Sequence, residues 1–406
     1  MDYTQTLKLL EKHGQTHLLD YFYELDEDER ACLLNQIENI DFAMLDTACH
    51  SSGREIGNLS PVKTLSVPEV EKARGGFKAA GYQALNQGKV AAVLLAGGQG
   101  TRLGSDNPKG MYNIGVTREL SIFAQQFENI KEVTNCLKQP FDVFVMTSDI
   151  NDAATRRFFK EKNYFGYPED KIHFFIQDMA PTCSFVGKIY LEEKGKVSLS
   201  PNGNGGWYSS LIGSDIGHYI ADNGIEWLNV YSVDNVLQRI CDPVFIGATL
   251  KFCVDCSAKV VKKANPYERV GVLCLEDGKP AIVEYYEMPE DLAAETDENG
   301  ELRFGCGVTL NYLFKVEKLN SILKKRMPVH LSKKVIPHID GGVKVKPEQP
   351  NGYKFELLVL DMIKMMDNCL AVEVVREREF APVKNKTGAD SVDTARELLI
   401  KNGVKL

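Results

Sequence analysis

The chain has 406 residues, of which 44% are hydrophobic and 26% are charged, and its formal net charge is −8 at pH 7. This composition is typical of a globular protein with a large core, and the length predicts two or three domains. Because no basic surface dominates, we expect no nucleic-acid partner, although a local cationic pocket can still hold a nucleotide.

The start of the chain and its cysteines both predict a cytoplasmic protein. Residues 1–5 lack the basic and apolar regions of a signal peptide, and no apolar run approaches the ~20 residues that span a bilayer. The ten cysteines are scattered, and the Cys-x-x-Cys pair at Cys253 and Cys256 has no second pair at zinc spacing. We therefore expect reduced thiols, no membrane association and no protein zinc site.

The first 88 residues predict helices around a linker. Leucine and isoleucine recur at helical spacing between polar positions as far as Ile40, and Glu69–Asn86 has the same period. Between them, residues 51–68 contain two glycines and two prolines, which indicate a linker.

From Val90 onward, apolar runs that predict strands alternate with segments of helical period. The predicted strands are Val90–Ala96, Phe141–Met146, Ile172–Ile176, Trp227–Tyr231 and Leu370–Val375. The predicted helices are Ala153–Lys162 and Phe355–Met366, and the predicted hairpins are Val244–Lys262 and Val270–Tyr286. This alternation predicts an α/β protein with a parallel or mixed sheet that is covered on both faces.

A glycine-rich loop follows the first predicted strand. The apolar run Val90–Ala96 leads into three glycines between positions 97 and 100, and then into Arg102 and Lys109. Glycines let a phosphate approach the backbone, and a buried strand of a parallel sheet presents N–H groups at its end. Arg102 can bind phosphate oxygens in a bidentate manner, and Lys109 supplies a flexible cation.

The spacing of this loop excludes three common phosphate-binding motifs. A Walker A loop requires a hydroxyl residue directly after its lysine, but Gly110 follows Lys109, and Gly104 comes one residue too late for a dinucleotide fingerprint. The kinase triplets are absent. The remaining pattern, Gly-Gly-x-Gly-Thr-Arg-Leu-Gly followed by Pro-Lys, resembles the signature of sugar-nucleotide pyrophosphorylases; a plain turn after the strand is the alternative.

Two further loops contain residues suited to a nucleotide. Gln177 follows a predicted strand, and its carboxamide matches the donor and acceptor edge of uracil, although a surface glutamine before a turn is the simpler interpretation. The turn at residues 201–206 contains Gly203 and Asn204. It either contacts a base and sugar hydroxyls or only connects a hairpin.

Two charged residues complete the candidate site. Asp234 closes the predicted strand Trp227–Tyr231, where a carboxylate can hold a divalent metal or cap a helix. Lys384 lies near Pro382 and either contacts a phosphate beside the other cations or is a solvated surface lysine.

Together these segments resemble the eukaryotic-type UDP-N-acetylglucosamine (UDP-N-acetylhexosamine) pyrophosphorylases. The resemblance extends over most of the chain, from His17–Leu19 to Thr394–Arg396. It rests on five motifs in the same order: Leu-Ala-Gly-Gly-Gln-Gly-Thr-Arg-Leu-Gly with Pro-Lys-Gly-Met-Tyr, Pro-x-Gly-Asn-Gly-Gly, Val-Asp-Asn, Val-Glu-Tyr and Phe-x-Pro-x-Lys-Asn.

The resemblance implies a uridylyltransferase that makes UDP-N-acetylglucosamine and pyrophosphate from UTP and N-acetylglucosamine 1-phosphate, with Mg²⁺ or Mn²⁺ as its substitute. It implies a helical N-terminal region at 1–88. A Rossmann-like, mixed-sheet nucleotidyltransferase core of the glycosyltransferase-A type follows at 89–378, and a short segment at 379–406 carries Lys384. Because the chain stops at Leu406, without the β-rich tail of longer relatives, we expect a monomer.

The motifs also imply a role for each matching residue. The implied catalytic residues are Arg102 and Lys109, which bind the β- and γ-phosphates, and Lys384, which stabilises the α-phosphate; Asp234 binds the metal. The implied nucleotide-binding residues are Leu95, Ala96, Gly97, Gly98, Gln177 and Gly203. The implied sugar-binding residues are Asn204, Gly271, Glu284, Tyr285 and Asn311.

One departure from the family concerns the acetamido pocket. Leu358 and Leu360 occupy positions where family members often have aromatic residues, which predicts a looser pocket. A UDP-glucose or broad UDP-sugar pyrophosphorylase is therefore the first alternative, and a catalytically silent nucleotide-binding regulator is the second.

Overall fold

Helices and strands alternate along the computed structural model, which describes residues 1–45 and 56–406. The α-helices are α1 (Tyr3–Lys12), α2 (Glu27–Glu38), α3 (Val67–Asn86), α4 (Ile122–Thr134), α5 (Asp152–Glu161), α6 (Trp207–Ile212), α7 (Asp215–Asp222), α8 (Pro243–Lys251), α9 (Glu290–Ala293), α10 (Val316–Ile322), α11 (Val359–Lys364), α12 (Arg376–Glu379) and α13 (Val392–Lys401).

The strands occur in the same region of the chain that the sequence predicts, and also before it. They are β1 (Leu59–Pro61), β2 (Thr64–Leu65), β3 (Val90–Leu95), β4 (Val143–Thr147), β5 (Ile172–Ile176), β6 (Met179–Ser184), β7 (Leu191–Glu193), β8 (Lys196–Val197), β9 (Leu199–Pro201), β10 (Trp227–Ser232), β11 (Cys256–Lys262), β12 (Val272–Glu276), β13 (Lys279–Val283), β14 (Cys306–Lys315), β15 (His330–Lys334), β16 (His338–Asp340), β17 (Val343–Val345), β18 (Gly352–Glu356) and β19 (Leu370–Glu373).

The chain divides into two compact units, each built from segments that are distant in sequence. The smaller unit comprises Met1–Glu55 (described as far as Leu45), Asp178–Gly206 and Met327–Val359, and the larger unit comprises Ile56–Gln177, Trp207–Arg326 and Leu360–Leu406. The division at residues 88 and 378 that the sequence suggests stays a prediction. None of the described helices is both long enough and apolar enough to cross a bilayer.

The larger unit contains a mixed sheet of eleven strands. Its main path runs in the order β2-β19-β11-β14-β10-β3-β4-β5, and β1, β12 and β13 branch from it at β14. Strands β10, β3, β4 and β5 pair in parallel, whereas β14 is antiparallel to β10 and β11. This arrangement confirms the predicted α/β fold with a mixed sheet.

The order of the strands changes direction next to β3. All six residues of β3 are buried, as expected of a central strand in an α/β sheet. The chain continues from β3 to β4 on one side and returns to β10 on the other, and Ser232 at the end of β10 is in register with Leu95 at the end of β3. In open α/β sheets, ligands bind beside the carboxyl ends of strands where the order changes direction in this way.

The smaller unit combines the N-terminal helices with a second sheet. Strands β15, β18, β6 and β9 form an antiparallel sheet in that order. Leu10 of α1 and Leu33 and Ile37 of α2 share a hydrophobic core with Phe355 of β18. The predicted helical character of residues 1–45 is therefore confirmed.

Three local predictions are wrong. The predicted hairpin at Val244–Lys262 is helix α8 followed by β11, and the helix starts at Pro243 because Asp242 caps it by accepting a hydrogen bond from the Val244 N–H. The predicted helix at Phe355–Met366 begins as β18 and becomes helical only in α11. The predicted linker at 51–68 contains β1 and β2, and its first five residues lie outside the described part of the chain.

Helices α3 and α8 approach each other through glycines. A Cβ atom at Gly81 would lie 1.9 Å from the carbonyl oxygen of Pro243, and one at Gly247 would lie 1.7 Å from the carbonyl oxygen of Phe77. Backbone atoms in a helix cannot yield to such a contact, so only glycine allows this approach.

We expect Gly81→Ala to lower the free energy of unfolding of the larger unit by about 1–3 kcal/mol, the usual cost of overpacking. Gly76→Ala is the matched control, because a Cβ there would meet no atom within 4 Å. It should raise stability by about 0.5–1 kcal/mol, since alanine is the better helix former. Urea unfolding followed by tryptophan fluorescence measures both, because Trp207 and Trp227 lie in the larger unit. Equal effects would contradict the packing argument.

Candidate active site

The glycine-rich loop after β3 folds back on itself. The Gly100 N–H donates to the Asn107 carbonyl at 2.9 Å, and the Lys109 N–H donates to the Gly98 carbonyl at 3.2 Å. Gln99 and Pro108 form an isolated β-bridge between these two hydrogen bonds. The loop therefore brings Lys109 back to the carboxyl end of β3.

The backbone of Gly97 and Gly98 presents donors at this position. Ser148 and Asn151, which follow β4, donate to the carbonyl groups of Gly97 and Ala96, each at 3.0 Å. Within residues 1–45 and 56–406, the N–H groups of Gly97 and Gly98 have no hydrogen-bond partner. Gly98 is exposed, and a Cβ there would meet no atom within 4 Å. These two N–H groups can therefore donate to an anionic or polar ligand.

Gln177 lies directly over Gly97. It follows β5 and is buried, and a Cβ at Gly97 would lie 2.9 Å from the side-chain oxygen of Gln177. The structure thus brings together two residues that the sequence assigns to the nucleotide, although they are far apart along the chain. Leu95 and Ala96 precede them at the buried end of β3.

An ion pair joins the loops that follow β3 and β10. The Lys109 ammonium lies 2.6 Å from Oδ1 of Asp234, and the two side chains are 12% and 32% exposed. Phe123 of α4 holds the turn of Lys109, since a Cβ at Gly110 would lie 2.2 Å from the Phe123 ring. A cation and a carboxylate therefore meet in the crevice between the two strands.

The segment after α12 reaches the same place. The Val383 N–H donates to the Asp234 carbonyl at 2.9 Å, and Pro382 forms a β-bridge with Asn235. Lys384 follows directly, and its ammonium donates to Asp390 at 3.1 Å. The structure thus brings Asp234 and Lys384 onto adjacent segments, as the proposed site requires.

Arg102 lies on the short 3₁₀ turn Thr101–Leu103 of the glycine-rich loop. Its side chain is exposed, and among the described residues it forms no ion pair. Its guanidinium is therefore available to an anion from solvent.

The predicted sugar-binding residues differ in their surroundings. A Cβ at Gly271 would lie 3.9 Å from Cδ of Glu284, so these two are neighbours. Burial raises the pKa of Tyr312 well above its ordinary value, and the nearby Glu284 carboxylate adds to this rise. Tyr285 is 42% exposed, and its ring packs edge-on against Tyr286.

Asn311 is fully buried, and its side chain is hydrogen-bonded. Its side-chain oxygen accepts from Asn229 at 2.8 Å, and its Nδ2 donates to Gln238 and to the Arg239 carbonyl, each at 3.4 Å. These contacts hold β14 against β10, and a sugar contact by Asn311 stays a prediction.

Gly203 and Asn204 belong to the smaller unit. Gly203 has a φ of +88°, and a Cβ there would lie 2.4 Å from the Leu357 carbonyl oxygen, so the position requires glycine. The side-chain oxygen of Asn204 accepts a hydrogen bond from the Val359 N–H at 3.0 Å. Of the two interpretations of this turn, the hairpin is not observed, because the chain continues through a 3₁₀ turn, Asn204–Gly206, into α6.

Lys259 is an important residue that the sequence reasoning missed. It is 1% exposed on β11, and its ammonium contacts Glu379 at 2.5 Å and Asp242 at 3.5 Å. Burial alone would raise the pKa of Asp242, but Lys259 and Arg239 reverse this and lower it. The available signal was a lysine between Ala258 and Val260 in an apolar run.

Buried amides hold the loop that carries Asp234, and these were missed as well. Gln126 of α4 donates to the Val233 carbonyl at 3.0 Å, and Gln238 donates to the Ser232 carbonyl at 2.7 Å. Asn129 of α4 donates to the Val236 carbonyl at 2.9 Å. For Gln126 and Asn129, the signal was that polar residues, Gln125 among them, recur between the apolar residues of a helix.

A magnesium ion that is shared with a substrate would need few ligands from the protein. In the part of the chain described here, no group of three or more His, Cys, Asp or Glu side chains could hold a metal. Mg²⁺ is commonly bound by one or two carboxylates together with substrate phosphates and water. Asp234, which follows β10, offers one carboxylate for that mode, and its Oδ1 lies 2.6 Å from the Lys109 ammonium.

Comparisons with known proteins identify the family of the chain. The model of the UTP–glucose-1-phosphate uridylyltransferase family matches residues 54–399. The chain is 36% identical over 419 residues to UDP-N-acetylhexosamine pyrophosphorylase-like protein 1 of Mus musculus. This alignment covers 96% of this chain and 82% of the relative. It is 34% identical over 431 residues to UDP-N-acetylglucosamine pyrophosphorylase of Saccharomyces cerevisiae, with 98% and 90% covered.

A solved structure is similar over nearly the same range. The crystal structure of the UDP-N-acetylglucosamine pyrophosphorylase of Trypanosoma brucei in complex with an inhibitor aligns with a TM-score of 0.82 at 29% identity, covering 97% of this chain and 84% of that one. The family match over residues 54–399 and relatives above 30% identity over nearly the whole chain confirm the resemblance seen in the motifs. The chain therefore belongs to the UTP–glucose-1-phosphate uridylyltransferase family.

Proposed function

We propose that this protein transfers a uridylyl group from UTP to N-acetylglucosamine 1-phosphate and releases pyrophosphate. The observation that carries the proposal is the Lys109–Asp234 ion pair, which lies in the crevice between β3 and β10 beside the segment of Lys384. The choice of sugar is supported by relatives from mouse and yeast that are named as N-acetylated sugar-nucleotide pyrophosphorylases.

The residues of the chain bind and orient the nucleotide. The free N–H groups of Gly97 and Gly98 would donate to the nucleotide, and the Gln177 carboxamide beside them would read the edge of uracil. The Arg102 guanidinium and Lys109 ammonium would bind the phosphates that leave as pyrophosphate. We further propose that Leu95 and Ala96 contact the nucleotide through their backbone and that Gly203 contacts uracil.

The transfer needs no nucleophile from the protein. An anionic phosphate oxygen of the sugar phosphate attacks the α-phosphorus in line, a new P–O bond forms, and the bond to the pyrophosphate oxygen breaks. Lys384 would stabilise the charge on the α-phosphate oxygens, and the cations on the opposite side would stabilise the leaving group.

Mg²⁺, or Mn²⁺ in its place, is the proposed metal. Asp234 would hold it together with substrate phosphate oxygens, and the ion would neutralise phosphate charge. We also propose that Gly271, Glu284, Tyr285, Asn204 and Asn311 contact the sugar, that the protein is a cytoplasmic monomer, and that it binds neither nucleic acid nor membrane. Sedimentation of the purified chain tests the monomer.

The first experiment measures pyrophosphate release from UTP with N-acetylglucosamine 1-phosphate, N-acetylgalactosamine 1-phosphate or glucose 1-phosphate. We expect the N-acetylated sugars to be preferred and EDTA to abolish release until Mg²⁺ is restored. Leu358 and Leu360 are half-buried and replace the aromatic residues that often line the acetamido pocket in the family. A looser pocket would select less strongly for the acetamido group, so glucose 1-phosphate, which lacks that group, is the informative competitor. Preference for glucose 1-phosphate would reassign the sugar, and no release with any of the three would indicate a silent nucleotide-binding regulator.

A further inference from the structure

The side chain of Asn235 connects two segments of the candidate active site. It is buried, its Nδ2 donates to the Glu379 carbonyl at 2.7 Å, and its Oδ1 accepts from the Ala381 N–H at 2.9 Å. A single amide thus supplies a donor to the last residue of α12 and an acceptor to the segment that leads from α12 to Lys384.

The two connected segments carry the charges of the proposed mechanism. Asp234 directly precedes Asn235, and Lys384 lies three residues after Ala381. Backbone contacts lie on either side of the amide, from Val383 N–H to the Asp234 carbonyl at 2.9 Å and from Val236 N–H to the Ala381 carbonyl at 3.2 Å. Asn235 therefore lies where the segment of Lys384 crosses the loop of Asp234.

The Oδ1 of Asn235 also accepts a hydrogen bond from the Leu237 N–H within the loop of Asp234 at 3.3 Å, but this loop has further supports of its own. Gln126 and Gln238 hold the carbonyl groups of residues 232 and 233. The segment of Lys384 has a different anchor, the contact of Glu379 with buried Lys259. Loss of the Asn235 amide would therefore displace one segment relative to the other while each stays folded.

We propose that Asn235 is a positioning residue that sets the separation between the Lys384 ammonium and the Asp234 carboxylate. The inference rests on the proposed uridylyl transfer. A displacement of about 1 Å at a reacting centre can cost about 10²-fold in rate. Asn235 thus affects the rate through Lys384, not through contact with substrate.

The test combines Asn235→Ala with Lys384→Ala. Alone, Asn235→Ala should lower kcat by about 10²-fold, with little change in the KM for UTP. In the Lys384→Ala background, the same change should have little further effect, because the group that Asn235 positions is already gone. A merely structural role would lower the melting temperature and reduce kcat equally in both backgrounds, and that result would overturn the inference.

Two variants keep the test interpretable. Asn235→Asp preserves the shape and the acceptor but removes the donor to Glu379, so it should lower kcat in the same background-dependent way even where the alanine variant folds poorly. Asn351→Asp is the matched control, because the Asn351 amide bridges the N–H and carbonyl of Ile336 in the smaller unit at 2.7 and 3.0 Å. It should leave kcat unchanged. Wild-type protein that releases no pyrophosphate would refute the proposed function itself, whereas equal losses in both backgrounds would refute only the role of Asn235.

Discussion

Replacing Lys109 by alanine is expected to lower kcat for pyrophosphate release by ~10²–10³-fold, the usual effect of removing one preorganised electrostatic stabiliser. The Lys109 ammonium is largely shielded from solvent and lies 2.6 Å from Asp234. Its loss would remove one of the cations proposed to bind the triphosphate and would leave the Asp234 carboxylate without its ion-pair partner. Steady-state kinetics with UTP and N-acetylglucosamine 1-phosphate measure the effect, and tryptophan fluorescence checks that the variant is folded.

The control for this experiment lies at the other end of the same two strands. Lys89 precedes β3, Glu226 precedes β10, and their ion pair is 2.7 Å long with side chains 40% and 51% exposed. Lys89→Ala removes a lysine from a pair of similar length, but far from the candidate site, so kcat should not change. Near-wild-type turnover of Lys109→Ala, or a similar loss in Lys89→Ala, would argue against the site between the carboxyl ends of β3 and β10.

Replacing Lys259 by methionine is expected to lower the free energy of unfolding of the larger unit by about 3–5 kcal/mol, the usual cost of removing one partner from a buried ion pair. The ammonium is 1% exposed and neutralises Glu379 and Asp242 at 2.5 and 3.5 Å. Without it, two carboxylates would stay buried and would keep Arg239 as a nearby cation. Urea unfolding followed by the fluorescence of Trp207 and Trp227 measures the loss.

The matched control is Lys262→Met on the same strand. Lys262 pairs with Glu301 at 2.9 Å, but both side chains are about 60% exposed. Such a surface pair contributes about 0–1 kcal/mol, so the control should differ little from the wild type. Adding Glu379→Gln to Lys259→Met should recover part of the lost stability, because it removes one uncompensated charge. Similar losses in the Lys259 and Lys262 variants would show that burial of the ion pair does not determine its contribution.

Local sequence was sufficient to propose a phosphate-binding loop after β3. One short segment contains Gly97, Gly98, Arg102 and Lys109. The glycines and the preceding strand act through backbone geometry, which depends on neighbouring residues in the sequence. The alternation of strands and helices predicted the mixed sheet for the same reason, because period and turn residues are local properties. The wrong prediction of a hairpin at Val244–Lys262 has a physical cause, because a short apolar run is equally compatible with a buried helix and a buried strand.

Only the tertiary structure determined which distant residues meet. Lys109 and Asp234 are 125 positions apart, and Lys259 and Glu379 are 120 apart, so no local pattern relates them. The same holds for Asn235, whose amide satisfies backbone groups near Lys384, and for Asn311, whose polar side chain looks available in the sequence but is buried between β10 and β14. The sequence by itself determined the chemistry of each segment, because glycines, cations and carboxylates act through their own atoms. The strand order determined their arrangement, because it decides which carboxyl ends share a crevice and which buried charges must be paired.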